Sequence, residues 1–250
     1  MFGWAVELGG LGGDADEIDL AVGLPYENDD GTGVQVDEGN LDSGSIGILF
    51  DVRKNRGSRS ARSGTCARSR RPRPATGSAT PWPTARRGHG LPGGGRPLGD
   101  SGSVKDSGLV QLFRATEAEE IAPVATFTQK EPASGEGYGF SLAFSGGEGL
   151  RLAVGAPFDG PDRRGGVSLF PVGSPDQERL VGGAGPDERF GWSVAASGNK
   201  LVVGVPDRGS SGSVALLGRN DGAVTPLTPG SGDIPALDGG VSIDFGAATG

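Results

Sequence analysis

The chain has 250 residues and a formal net charge of -8, with one cysteine, one histidine, 49 glycines and 18 prolines. One cysteine excludes an internal disulfide and any paired-cysteine metal site, and one histidine leaves no Ser-His-Asp or Cys-His arrangement outside its own segment. The acidic balance argues against a chain that binds nucleic acid as a whole; no apolar run is long enough to span a membrane, and no signal peptide is visible after Met1.

In chain order, residues 1–50 begin with Phe2-Gly-Trp-Ala-Val6, pass through an acidic loop to Leu20-Ala-Val-Gly-Leu-Pro25, and close on Gly44-Ser-Ile-Gly-Ile-Leu-Phe50. Residues 51–100 break this language. From Val52 to Gly99 there are eleven arginines and one lysine with no aspartate or glutamate, so this window carries +12 and the remainder -20. It also holds Cys66 and His89. Residues 101–137 contain Gly108-Leu-Val-Gln-Leu-Phe113, which ends like the first segment, and a further strand, Ile121 to Phe127. Residues 138–189 start again with Tyr138-Gly-Phe-Ser, followed by Leu152-Ala-Val-Gly-Ala-Pro157 and Gly166-Val-Ser-Leu-Phe170. Residues 190–244 repeat the order with Phe190-Gly-Trp-Ser, Leu201-Val-Val-Gly-Val-Pro206 and Gly212-Ser-Val-Ala-Leu-Leu217, and a further start, Phe245-Gly246, falls in 245–250.

Such self-similarity marks a repeat architecture. The apolar stretches are four to six residues long, rich in Val, Leu and Phe, and separated by Gly, Asp, Ser and Pro, which predicts short strands and tight turns. Gly23, Gly155 and Gly204 stand where a missing Cβ permits close backbone approach. Pro25, Pro157 and Pro206, two residues on, lack the N–H that would continue a ladder. Phe2, Tyr138 and Phe190 are expected to pack between one small sheet and the next, because a lone small sheet cannot bury its face.

The aromatic-glycine pairs Phe2-Gly3, Tyr138-Gly139 and Phe190-Gly191, with Gly23/Pro25, Gly155/Pro157 and Gly204/Pro206, resemble the FG-GAP repeat of the integrin alpha-chain β-propeller and of many bacterial surface proteins. The resemblance implies an all-β fold of four-stranded antiparallel blades, usually seven to a closed ring. Four or five copies fall short of such a ring, so the chain is expected to be an incomplete propeller or part of a larger one. The Arg-rich window takes the place of the front half of the second copy, and two readings stand: a disordered basic segment that would hold nucleic acid or another anionic surface by charge, or translation of a wrong frame. The second is favoured, because the repeat resumes in mid-copy.

Many FG-GAP blades carry a calcium loop before the Leu-Ala-Val-Gly strand, and carboxylates at alternate positions suit that ion. Only the first copy offers such residues, Asp14, Asp16 and Asp19, and their spacing departs from the family's pattern: with Asp19 in the last place, the first, third and fifth fall on Leu11, Gly13 and Ala15. Copies three and four carry Ser145-Gly-Gly-Glu-Gly149 and Ser197-Gly-Asn-Lys200 instead and are expected to bind no calcium there. No nucleophile constellation can be assembled. The expectation is a non-enzymatic extracellular or cell-surface module that recognises a protein or glycan ligand through its blade loops; the alternative is a propeller accessory to a secreted hydrolase of phospholipase or esterase type.

Overall fold

The computed structural model describes residues 107–115, 121–145, 150–218, 224–236 and 245–248, residue 104, and the strands at 6–9, 19–24, 45–49 and 93–96. Among these residues there is no helix. The strands are β1 (Val6–Gly9), β2 (Asp19–Leu24), β3 (Ser45–Leu49), β4 (Gly93–Arg96), β5 (Leu109–Ala115), β6 (Ile121–Phe127), β7 (Ser141–Ser145), β8 (Arg151–Ala156), β9 (Gly166–Pro171), β10 (Arg179–Gly182), β11 (Val194–Ser197), β12 (Lys200–Val205), β13 (Ser213–Leu217) and β14 (Val224–Leu227). They form antiparallel meanders, each strand pairing with the next: two four-stranded sheets, β7 to β10 and β11 to β14, and two three-stranded ones, β1 to β3 and β4 to β6. Phe2, Gly3 and Pro25 lie outside the described residues.

The registers coincide from sheet to sheet. Gly23 stands opposite Ile46, Gly155 opposite Val167 and Gly204 opposite Val214. In the second sheet Gly95 stands opposite Val110. Gly95, followed in the sequence by Arg96 and Pro97, therefore takes the strand-glycine place of the other copies, although it lies inside the Arg-rich 51–100 window. A glycine-only approach to that place needs no side chain, because the ladder is made by backbone groups alone.

The sheets are held together by their faces. Alternate residues of a strand point to opposite faces, and β7 and β8 divide accordingly. Leu142, Phe144, Leu152, Val154 and Ala156 join Val110, Leu112, Phe127 and Tyr138 in one core, with Phe170 of β9. Ala143, Ala153 and Val167 join a second core with Phe190, Val194, Leu201, Val203, Val205, Ala215 and Leu217. Strands β7 and β8 are thus buried on both faces, which is why Leu-Ala-Val-Gly-Ala runs without polar alternation. Small alanines on its second face admit the larger valines and leucines of the fourth sheet, and β11 lies against β7. Full burial of each Val, Leu or Phe in these cores contributes about 1.5–3 kcal/mol. Phe127 meets Phe170 edge-on, with ring centres 5.1 Å apart.

The last strands β10 and β14 are more exposed, and two prolines sit in outer strands. In β6, Pro123 falls beside a register shift at Leu112/Phe113, and Pro226 lies in the edge strand β14, places where a missing N–H breaks no central ladder. The fourth sheet keeps the half-buried Val202, Val214 and Leu216 on the face turned away from the third.

Candidate functional site

The aromatic-glycine and Gly-x-Pro corners meet at one end of the sheets. Gly165, which precedes β9, forms a parallel bridge to Phe190 of the next copy; Gly108 does the same with Tyr138, and Gly212 with Phe245. The Phe190 N–H donates to the Arg164 carbonyl at 3.0 Å, and the Phe245 N–H to the Ser211 carbonyl at 3.1 Å. Tyr138 is fully buried and Phe190 nearly so.

Gly155 and Gly204 sit under the next copy's glycine. A Cβ built on Gly155 would overlap the Gly191 carbonyl oxygen and the Ser141 hydroxyl, and one on Gly204 would overlap the Gly246 carbonyl and the Ser193 hydroxyl. The serine that closes each aromatic-Gly-x-Ser uses this proximity. Ser141 Oγ donates to the Gly191 carbonyl at 2.8 Å, and Ser193 Oγ donates to the Gly246 carbonyl at 2.8 Å. Gly191 and Gly246 hold φ near +90°, a conformation that turns the carbonyl toward the previous copy and that side-chain-bearing residues avoid. The residues Tyr138, Gly139, Gly155, Pro157, Phe190, Gly191, Gly204 and Pro206 thus build the junctions between units.

On the loop side of these junctions lies a set of side chains that the repeat itself does not require. Phe140 and Trp192, the variable residues of the two aromatic-Gly-x-Ser corners, have ring centres 4.7 Å apart. Phe158, directly after Pro157, stands edge-on to both, at 6.2 Å and 6.3 Å. All three rings are only half-buried. Arg189 lies over the Trp192 ring at 5.4 Å and over the Phe158 ring at 5.9 Å, and Arg163 over the Phe158 ring at 5.5 Å. Contacts of this kind contribute about 0.5–1 kcal/mol each at exposed sites.

Three non-glycine residues have left-handed backbones among those described, Arg163 (φ 52°), Asp187 (φ 53°) and Arg189 (φ 55°), and all belong to this end. Such conformations cost about 1 kcal/mol or more apiece and concentrate at ligand-holding segments. Their loops are tied to each other. The Asp187 N–H donates to the Asp162 carbonyl at 2.9 Å, Arg189 pairs with Asp207 at 2.8 Å, and Arg208 pairs with Glu188 at 3.6 Å. The pair between Arg163 and Asp187 is looser, at 3.9 Å, with both side chains well exposed.

Two carboxylates from other segments, Asp159 and Glu178, act on Glu136. Glu136 is buried and accepts the Ala133 N–H at 2.9 Å, with the Asp159 carboxyl near by. Burial, with the nearby negative charges of Asp159 and Glu178, raises Glu136 to about 7 against the opposing pull of the Ala133 N–H. Glu178 accepts the Lys130 N–H at 2.7 Å and the Ser168 hydroxyl. Burial above all, and Glu178 in addition, pushes the Tyr138 phenol well above its ordinary value, and its hydroxyl has no partner. An open cleft of about 670 Å³ is lined by Ser134, Glu136, Phe158, Gly160, Pro161 and Arg163.

Of the calcium candidates, Asp14 and Asp16 lie outside the described residues, and Asp19 is the first residue of β2, opposite Gly9. In the fourth sheet Ser197 pairs directly with Lys200, so Gly198-Asn199 is a two-residue turn with Gly198 at φ 60°. A nine-residue calcium loop has no room there. Among the described residues no three His, Cys, Asp or Glu side chains are placed to hold a metal ion. Of the residues gathered at the loop end, Phe140, Phe158, Arg163, Trp192, Arg189 and Glu136 were not expected as site residues from the sequence. The signal that could have found two of them is the recurring aromatic-Gly-aromatic-Ser of Tyr138-Gly-Phe-Ser141 and Phe190-Gly-Trp-Ser193. No protein-family model and no curated protein matches this sequence.

Proposed function

We propose that the chain is a non-enzymatic binding module, a run of FG-GAP blades belonging to a β-propeller displayed outside the cell or at its surface, which takes a protein or glycan ligand on the loop end of its sheets. The observation that carries this reading is the half-exposed aromatic group Phe140, Phe158 and Trp192 under two arginines, set among the left-handed residues Arg163, Asp187 and Arg189. Folding alone does not require large rings left half in water, nor strained loops around them. Rigid sheets that carry loops at one end are where binding residues concentrate, although a fold by itself assigns no ligand. The repetition of sheets through interlocking junctions supports the propeller part of the reading, since radial repetition leaves only short edges.

The test is a binding screen of the purified chain against arrays of glycans and extracellular proteins, repeated with Phe140→Ala/Trp192→Ala. Both rings lie outside the two buried cores, so the variant is expected to keep its β-sheet circular dichroism. It should lose at least about tenfold in affinity, the scale set by aromatic anchors at interfaces. Capture that the double variant leaves unchanged would overturn the reading.

A further inference from the structure

The cleft lined by Glu136 is chemically lopsided. Its one cation, Arg163, projects from a left-handed position, is well exposed, and reaches Asp187 only at 3.9 Å, so its guanidinium fork keeps donors to spare. Ser134, the buried Glu136 and the apolar Pro161 line the same cleft, and Arg163 itself lies over the Phe158 ring at 5.5 Å. The volume of about 670 Å³ suits a ligand of one or two sugar units or a short peptide. A carboxylate meets a guanidinium in two parallel hydrogen bonds, and a pyranose offers one apolar face and several hydroxyls.

We infer that this cleft binds a carboxylated sugar, a uronic-acid unit, with its carboxylate on Arg163, its hydroxyls toward Ser134 and Glu136, and its apolar face against Pro161. This rests on the binding-module reading and names its ligand class. The charged groups acting on Glu136 are Asp159 and Glu178, and Arg163 lines the same cleft. Below about 7 its carboxyl is mostly protonated and adds no negative charge to the cleft; above that it ionises and opposes an anionic ligand. Binding therefore weakens as pH rises through neutrality.

Titration calorimetry of the full chain with glucuronic acid, a short oligogalacturonate, glucose and a triglutamate peptide tests this. The expected result is binding of the acidic sugars over glucose and over the peptide, at least about tenfold weaker in Arg163→Gly, since a charge-assisted pair is lost. Glycine suits the left-handed backbone at that position, which offsets the lost contact with Phe158, and the melting temperature of the variant checks that it folds. The affinity falls several-fold between about pH 6 and pH 8, and Glu136→Gln flattens that fall. Stronger binding of the chain form than of the free acid identifies a polymer as the source. Equal affinity for glucose, preference for the peptide, or full binding by Arg163→Gly would overturn the inference. If uronates fail while another ligand depends on Phe140 and Trp192, this inference falls and the binding-module reading stands.

Discussion

Gly155→Ala is the most demanding perturbation of the junctions. The added methyl meets the Gly191 carbonyl oxygen, which is backbone and cannot swing aside, and the Ser141 hydroxyl bonded to it. Forcing a methyl into a packed site costs about 1–3 kcal/mol. Separating Ser141 from the Gly191 carbonyl leaves a buried donor and acceptor without each other, for about another 1–3 kcal/mol. The expected loss is therefore about 3–5 kcal/mol, or a fall in Tm of roughly 10 °C for a chain of this size. The assay is thermal and urea unfolding beside Gly173→Ala. Gly173 has nothing within 4 Å of a built Cβ, and its φ is not positive. That control should be neutral or gain up to about 1 kcal/mol from a stiffer unfolded chain. Ser141→Ala alone should cost about 1–2 kcal/mol, and the double variant should be no better than Gly155→Ala, because the carbonyl obstruction remains. A Gly155→Ala protein as stable as the Gly173→Ala control would refute the close-approach reasoning.

The remaining predictions follow from single features. Glu136 has a folded value of about 7, above its ordinary 4.5, so its contribution is fully present below about pH 4.5 and is lost as pH rises through about 7. The full shift corresponds to at most about 3 kcal/mol, and about 1–2 kcal/mol after allowing for solvent screening; urea melts from pH 5 to 8 should show the fall, and Glu136→Gln should remove it. Phe170→Ala, at the edge-on contact with Phe127, is expected to cost about 3–5 kcal/mol in the same melts. Millimolar calcium should leave the unfolding of the β11 to β14 sheet unchanged, since its Ser197-Gly-Asn-Lys200 turn has no room for a calcium loop; hydrogen exchange of the β11 and β12 amides with and without the ion checks this.

Much of the strand order could be read from the sequence because each copy repeats the same physical constraints. The β-branched residue opposite the strand glycine, the proline two residues later and the aromatic that seats the next copy all recur at fixed positions. Gly95-Arg-Pro97 was harder to see. It keeps the Gly-x-Pro spacing, but the apolar residues that flag a strand elsewhere are glycines there, and the surrounding arginines mask it. The loop-end site was mostly hidden for a different reason. Phe158, Arg163 and Arg189 come from turns with no periodicity, and their neighbourhood is set by how two sheets face each other. The Glu136 turn likewise meets the Phe158 turn only in the folded chain, and only the paired aromatic-Gly-aromatic-Ser corners gave a local clue.

The serine-to-carbonyl bonds have a direction. Each runs forward, from Ser141 to Gly191 and from Ser193 to Gly246. The corresponding residue is Ala5 in the first copy and Ala248 in the fifth, neither of which can donate. The fifth start can receive this bond but cannot pass one on, so the coupling between units is vectorial and interrupted at defined places. Damage at one junction should loosen its two neighbours and fade beyond them, as in a one-dimensional chain of nearest-neighbour contacts. Introducing a hydroxyl at an alanine corner would extend the coupled block by one unit.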